Sequence, residues 1–188
     1  MAALPDVIGR SRLTRDDVRL MEEQGLLKGR WELIAGELIN KMGQNAPHAS
    51  VIAFLTVWLV GLYGMKVRCQ LPIEVAAGDQ SLNEPEPDLV VLRESKPEYD
   101  RRQPRGDEVM LLIEVADSSS RIDLTTKALL YARAGVPEYW VVDISNRRVV
   151  THRRPENERY AQIDVLSEEQ ALSFQGSSLP ISDFLPRL

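Results

Sequence analysis

Two short apolar runs, each with one carboxylate at its edge, constrain the fold of this chain more than any other feature. Asp88 precedes Leu-Val-Val-Leu, and Glu114 follows Val-Met-Leu-Leu-Ile. Such runs are typical of strands, so two neighbouring strands are expected to carry both acids to one place. A carboxylate on a core strand is costly unless it is paired or binds a metal. A solvated acid at a strand end is the competing interpretation of each.

A lysine is expected close to these acids. Lys127 lies in a helix-like run, residues 122–134, near the middle of an apolar arc that includes Leu124 and Tyr131. A lysine centred on an apolar face needs a partner or a role, although its long stem can also reach past the core to water. A surface ion pair with Asp123, four residues earlier, is the alternative.

Two carboxylates and one ammonium are the groups that metal-assisted phosphodiester hydrolysis requires. Carboxylate oxygens are ligands for Mg²⁺ or Mn²⁺, and an ammonium can orient or polarise the attacking water and offset developing negative charge. The pattern therefore predicts Asp88 and Glu114 as metal ligands and as catalytic residues, together with Lys127. A metal-dependent hydrolase of another phosphoester fits the acids equally well.

The amino-acid sequence of these segments resembles the Uma-two family of restriction-endonuclease-like proteins, in the PD-(D/E)XK nuclease superfamily. PEPDLVVL and LLIEVADSSSRIDLTTKALLYARAGVPEYWVVD carry the resemblance, which extends from about Trp31 to Val150 and is most specific between Glu114 and Asp143. It implies a central mixed β-sheet flanked by helices and a Mg²⁺-dependent or Mn²⁺-dependent endonuclease that acts on nucleic acid, with DNA as the expected substrate.

The sequence departs from the superfamily spacing at one position. The lysine that usually stands two residues after the second acid is replaced by Ala116. Lys127 would have to serve from the helix, where the family resemblance also expects a lysine. The same departure favours a second hypothesis, a nucleic-acid-binding or assembly protein that keeps the fold with weak or no catalysis.

The resemblance adds further candidates for the site. Superfamily sites often include another glutamate from the N-terminal part of the fold, which makes Glu37 a candidate metal ligand, although Glu32 and Glu37 could equally be ordinary outward hairpin residues. His48 matches a histidine of the family pattern, and it could bind phosphate, support the site or hydrogen-bond at a helix start. Asp123 and Asp143 are candidates for supporting or capping residues.

The order of the elements predicts an α+β fold in a single domain, residues 1–188. An N-terminal helix and a hairpin that turns at Ala35-Gly36, both within residues 10–45, belong to this domain. The run HASVIAFLTVWLVGL is apolar nearly all round and predicts a buried helix from about Pro47 to Leu62. Several strands follow one another after Asp143, which indicates a mixed sheet flanked by helices instead of a regular βαβ order.

The bulk composition is that of a soluble globular protein. The chain has 188 residues, of which 44% are hydrophobic and 27% charged, enough to bury a core without disulfides. The apolar runs fall short of the roughly 20 residues that span a bilayer, and the N-terminus lacks a signal-peptide core, so a cytoplasmic protein without a membrane segment is expected. Cys69 is the single cysteine and is expected to be a buried structural thiol.

The net charge limits the mode of nucleic-acid binding. A formal charge of −5 argues against a protein that coats nucleic acid with a basic surface, but local arginine clusters around residues 10–15, 101–105 and 147–154 could still contact phosphates. Solvated loops are the alternative for each cluster. A homodimer is expected because cutting both strands of a duplex is simplest with two sites related by a twofold axis.

Overall fold

A six-stranded mixed β-sheet with helices packed on both faces forms the centre of the molecule. The structure, a computed structural model, describes residues 12–41, 45–117 and 120–187. Its strands are β1 (Trp31–Ile34), β2 (Glu37–Asn40), β3 (Val67–Cys69), β4 (Leu89–Leu92), β5 (Val109–Ala116), β6 (Glu138–Asp143), β7 (Arg148–Glu156), β8 (Arg159–Ser167), β9 (Ala171–Phe174) and β10 (Ser177–Pro180). Its longer helices are α1 (Arg15–Glu23), α2 (Ala46–Tyr63) and α3, which consists of an α-helical start (Ser120–Ile122), a π-helical segment (Asp123–Lys127) and an α-helical end (Ala128–Arg133).

The sheet has the order β3-β4-β5-β6-β7-β8. Strands β5 and β6 are parallel, and all other neighbours are antiparallel. Two parallel neighbours need a crossover connection, which α3 supplies between β5 and β6. The predicted α+β class, with a mixed sheet flanked by helices, is confirmed. The β9–β10 hairpin, which pairs outside this sheet, is not foreseen by the sequence pattern.

Strand β5 separates the two layers of the core. Its residues Ile113 and Val115 pack on the side of α2, whereas Leu112 and Ala116 pack on the side of α3. Successive side chains of a strand point to opposite faces, so Glu114 points toward the α3 layer. The position of this acid in the strand therefore determines which helix it meets.

The N-terminal elements form as their sequences predict. Thr14 caps α1 and makes a reciprocal capping box with Asp17. Strands β1 and β2 form an antiparallel hairpin, and its turn residues Ala35 and Gly36 have φ values of 52° and 79°. Positive φ at both positions is what a two-residue hairpin turn requires, which explains the glycine.

Helix α2 is not buried all round, contrary to the prediction. Val51, Leu55 and Leu59 are fully buried against the sheet, whereas Val57 is 75% exposed and Val60 is 46% exposed. The buried residues recur every fourth position and form one face. The opposite face is apolar in sequence but lies at the surface, because the sheet covers α2 from one side only.

The apolar stretch around α2 is longer than the sequence pattern predicts for this chain. Within the described residues, one helical stretch, Ala46–Lys66 with 21 residues, is long and apolar enough by length and composition to cross a bilayer. The core helix of a soluble protein passes the same test, so one such helix is weak evidence for a membrane span. Here Val51, Leu55 and Leu59 belong to the main core cluster.

The segment after α2 differs from its predicted structure. The alternation of residues predicts a strand over Lys66–Val75, but only β3 forms there, as an edge strand of the sheet. Cys69 ends this strand and is exposed, so the expectation of a buried thiol is wrong. Its sulfur lies 3.7 Å from the hydroxyl oxygen of Thr56 on α2.

Candidate active site

Asp88 directly precedes β4, and Glu114 lies within the neighbouring strand β5. Strands β4 and β5 are antiparallel with Leu89 facing Ile113, so the residues that follow these two in space, Asp88 and Glu114, are neighbours. Both side chains are buried, each with 3% of its surface exposed. The backbone N–H of Val115 donates to Oδ2 of Asp88 over 2.9 Å, which ties the first acid to the strand of the second. The predicted adjacency of the two strands is confirmed, although Asp88 stands one residue before its strand.

Lys127 reaches this pair from α3. Its Nζ lies 2.8 Å from Oε1 of Glu114, and the residue is only 2% exposed. The predicted direction of the ammonium, toward Glu114 instead of bulk solvent, is therefore confirmed. The same nitrogen also lies 2.8 Å from Oε1 of Glu32 and 3.2 Å from Oδ1 of Asp123. Lys127 is thus the shared cation of three buried carboxylates.

A π-helical segment carries the two α3 residues of this cluster. Asp123 and Lys127 are the first and last residues of the segment, and both are buried. π-Helical turns are rare and often mark functional sites, because the wider turn redirects side chains relative to a regular α-helix. A helical wheel with regular α-helical spacing places Lys127 on the apolar face but does not reveal this local change.

The hairpin contributes Glu32 to the cluster as a third acid. Glu37, the residue predicted for this place, lies elsewhere, so that prediction is wrong. Glu37 directly follows the turn at the tip of the hairpin, and its side chain is exposed. Glu32 lies in the inner strand β1, which contacts the segment just before Asp88, and its Oε2 accepts the backbone N–H of Glu86 over 3.2 Å. Which of the two glutamates is buried therefore depends on which strand of the hairpin faces the sheet.

A histidine and a lysine border Asp88 on its more open side. Nε2 of His48 lies 3.5 Å from Oδ2 of Asp88, and Nζ of Lys41 lies 3.6 Å from Oδ1. The side chains of His48 and Lys41 are 17% and 15% exposed, which is more than any acid of the cluster. Lys41 also donates to the backbone carbonyl of Glu86. The structure therefore brings His48 to the site, as the sequence predicts.

The crowding of buried charges shifts the pKa values of Glu114 and Lys127. Burial, reinforced by the charges of Asp88 and Asp123, raises the pKa of Glu114 to about 8 in spite of the nearby lysines. Burial alone would lower the pKa of Lys127, but the charges of Glu114, Asp123 and Glu32 outweigh it and hold that pKa well above the usual lysine value.

The pKa of Asp88 shifts in the opposite direction to the pKa of Glu114. Burial opposes its ionisation, but the hydrogen bond with His48, the charge of Lys41 and the N–H of Val115 together lower its pKa below the usual value. Asp88 is therefore ionised at neutral pH.

Comparison with known proteins identifies the family of this chain. The family model described as "Uma2: Putative restriction endonuclease" matches residues 21–182. The chain belongs to the Uma2 family. The resemblance read from the sequence is thereby confirmed.

The fold of this Uma2 chain is also found in a crystal structure. That structure, described as "a putative nuclease belonging to DUF820 from Anabaena variabilis ATCC 29413", has a TM-score of 0.64 and 17% sequence identity over 88% of this chain and 96% of that chain. At this identity the likeness shows the shared fold. No curated protein matches the chain.

Two tyrosines of the Uma2 site are missed by sequence reasoning. Tyr131 donates its hydroxyl hydrogen to Oε1 of Glu114 over 3.0 Å, and Tyr139 donates to the backbone carbonyl of Asp123 over 3.1 Å. A helical wheel of α3 places Tyr131 beside Lys127 on one face of the helix. This position is the one sequence feature that could have pointed to Tyr131, but an apolar face by itself suggests only packing. Tyr139 and its neighbour Trp140 are fully buried, as predicted for packing residues.

Asp143 lies outside the cluster and caps a turn. Its carboxylate accepts hydrogen bonds from the backbone and side chain of Asn146 and pairs with Arg148. Of the two predicted roles, supporting or capping, the capping role therefore describes the contacts of Asp143.

A hydrogen bond links the start of α2 to the end of β5, since the side chain of Asn45 donates to the carboxylate of Asp117 over 2.6 Å.

The arginine clusters mostly serve ion pairs within the protein. In the described part of the chain, Arg15 pairs with Glu74, Arg102 with Glu108, and Arg147 with Glu168. Each of these three guanidinium groups has a carboxylate partner, whereas Arg105 and Arg154 of the same clusters are 62% and 67% exposed. Arg10 lies outside the described residues, and the predicted phosphate contacts of the clusters stay a prediction.

Proposed function

We propose that this Uma2 chain is an endonuclease that hydrolyses DNA phosphodiester bonds with a PD-(D/E)XK-type site and Mg²⁺ or Mn²⁺. The observation that supports the proposal best is the meeting of Asp88 and Glu114 on paired strands, with the ammonium of Lys127 2.8 Å from Glu114. Family membership points to the same chemistry. Such a set of groups suits a reaction in which negative charge develops on a phosphate.

The residues of the cluster fit a divalent cation held by two carboxylates. In the described residues, no group of three or more histidine, cysteine, aspartate or glutamate side chains is arranged to hold a metal ion. Mg²⁺ does not need such a cage, because it commonly binds through one or two carboxylates and keeps several waters or substrate phosphate oxygens.

Asp88 and Glu114 would hold the ion, and a bound divalent cation would supply Lewis-acid chemistry for the scissile phosphate and for a bound water. Both hydrogen bonds that described residues give to the Glu114 carboxylate end on Oε1, so Oε2 is the oxygen available for a ligand bond. Lys127 would orient the attacking water and offset the charge that develops on the phosphate. Lys41 and His48, on the more open side of Asp88, would contact phosphate oxygens of the substrate.

A nucleic-acid-binding or assembly protein without efficient catalysis is the second candidate. The observation that favours it is the confinement of Lys127, whose ammonium contacts three carboxylates and is almost fully buried. A lysine held in this way must be released in part before it can act on a substrate. Hydrolysis of another phosphoester is the third candidate, since the acids alone do not select DNA.

Site-directed variants test the catalytic proposal. Purified protein is incubated with mixed linear, circular and single-stranded DNA in Mg²⁺ or Mn²⁺. Asp88→Asn and Glu114→Gln should each lose at least about 100-fold in cleavage, the order expected when a transition-state electrostatic group is removed. Glu37→Gln is the matched control, because Glu37 is an exposed acid of the same domain, and it should cleave like the wild type. Equal activity of all four proteins would refute the assignment.

Metal binding gives a readout that does not depend on catalysis. Mg²⁺ or Mn²⁺ should raise the melting temperature of the wild type, and Asp88→Asn should weaken this rise, because the ion relieves repulsion among clustered acids. Metal binding without cleavage of any DNA, combined with retained DNA binding, would favour the second candidate. The same metal response in wild type and Asp88→Asn would refute the ligand assignment.

The predicted homodimer and cytoplasmic location stay predictions. Two copies would supply two sites for the two strands of a duplex. Light scattering after size-exclusion chromatography measures the mass of the particle directly. A mass of one chain, alone and with DNA, would contradict the dimer.

A further inference from the structure

Tyr131 and Lys127 converge on one oxygen atom of Glu114. The hydroxyl of Tyr131 donates to Oε1 over 3.0 Å, and the ammonium of Lys127 donates to the same atom over 2.8 Å. The two donors are four residues apart on α3, so they approach the carboxylate from one face of one helix. Tyr131 is completely buried, and no water competes for this bond.

We propose that Tyr131 is a positioning residue for the metal-binding carboxylate of Glu114. This inference rests on the proposed function. The last torsion of a glutamate side chain is broad, so an isolated carboxylate can rotate and present either oxygen. With both donors on Oε1, the carboxylate is fixed with Oε1 toward α3, and Oε2 becomes the oxygen that a cation shared with Asp88 would bind.

The hydroxyl of Tyr131 is itself held in place. Its ring makes an edge-to-face contact with Tyr139, with ring centroids 4.9 Å apart and an interplanar angle of 69°. Tyr139 in turn donates to the backbone carbonyl of Asp123, at the first position of the π-helical segment. Rigid partners that orient a ligand side chain commonly contribute about 10-fold to 100-fold to metal affinity or activity.

A purely structural role is the alternative explanation of Tyr131. A buried tyrosine needs a partner for its hydroxyl group, and a nearby carboxylate can simply provide it. Tyr160 shows this structural role in the same aromatic cluster, because its hydroxyl group donates to the backbone carbonyl of Val136 over 3.0 Å. Tyr160→Phe is therefore the matched control for Tyr131→Phe, since each variant loses one buried tyrosine hydrogen bond and keeps its ring.

The test measures Mn²⁺ binding by titration calorimetry on full-length protein without nucleic acid, together with thermal unfolding in a chelator. Both variants should lose a similar amount of thermal stability. Tyr131→Phe should weaken the Kd for Mn²⁺ by about 10-fold or more, whereas Tyr160→Phe should stay within about twofold of the wild type. The Mn²⁺ concentration that half-saturates cleavage should shift by the same factor in Tyr131→Phe.

The outcomes separate this inference from the proposed function. If the wild type binds no Mn²⁺, the proposed metal site fails, and the inference fails with it. If the wild type binds Mn²⁺ and both tyrosine variants bind it equally well, only the positioning role of Tyr131 is refuted. Equal weakening in the two variants would also refute it, because a general loss of packing would then explain the effect.

Discussion

Removing the ammonium of Lys127 should destabilise the metal-free protein strongly. In Lys127→Met, an apolar chain of similar length replaces the cation that lies 2.8, 2.8 and 3.2 Å from Glu32, Glu114 and Asp123. Breaking a buried ion pair by removing one partner costs about 3–5 kcal/mol, because the remaining charge stays buried without compensation. For a chain of this size each kcal/mol lowers Tm by about 2–4 °C, so a fall of about 6–20 °C is expected. The sequence alone suggests instead that this lysine can be replaced with little effect on the fold.

Thermal and urea unfolding in a chelator measure this cost. Lys96→Met is the control, because Lys96 is a partly exposed lysine that also pairs with acids, Glu94 and Glu108. Since exposed ion pairs contribute little to stability, the Tm of this variant should stay close to that of the wild type. Adding Glu32→Gln to Lys127→Met should restore part of the stability, since one carboxylate fewer then lacks a counter-charge. Unfolding of Lys127→Met within about 2 °C of the wild type would refute the counter-ion role.

Two further predictions concern residues away from the site. Burial lowers the pKa of His152 from its ordinary value of 6.5. Below that pH the unfolded chain takes up a proton that the folded chain resists, so stability falls as the pH falls. His152→Phe should therefore flatten the decrease of Tm below about pH 6.5. Gly106→Ala should cost about 1–3 kcal/mol in urea unfolding, because its Cβ would lie 2.1 Å from the carbonyl oxygen of Ala134, whereas Gly78→Ala, with nothing within 4 Å, should be close to neutral.

The sequence predicts the parts of the site that depend on strand pattern. Asp88 and Glu114 mark the edges of apolar runs, and a two-residue period fixes which face each side chain takes. The resemblance to a known family adds the helix lysine, and the direction of Lys127 toward Glu114 follows from its place on the apolar arc. These inferences need only local periodicity and the adjacency of two strands.

The choice between Glu32 and Glu37 needs information that the hairpin sequence lacks. Both acids belong to the same hairpin, and alternation alone does not say which strand lies inside. The contact of β1 with the segment just before Asp88 decides it, through a bridge between Leu33 and Glu84. Such a contact between distant segments is a tertiary property. The surface position of one face of α2 has the same origin, because a helix covered on one side cannot be distinguished by composition from a helix covered on all sides.

Ala116 and the helix lysine are two consequences of one packing arrangement. Ala116 is completely buried and lies on the α3 side of β5, in the core cluster that also contains Ala128 and Tyr131. A lysine at this strand position would have to fit its long side chain into the space that α3 fills. A small residue there instead lets α3 lie close to β5, so that Lys127 reaches Glu114 from the helix at 2.8 Å. The departure from the usual spacing at Ala116 and the presence of a buried lysine on α3 therefore support each other physically, and neither residue is expected to change without the other.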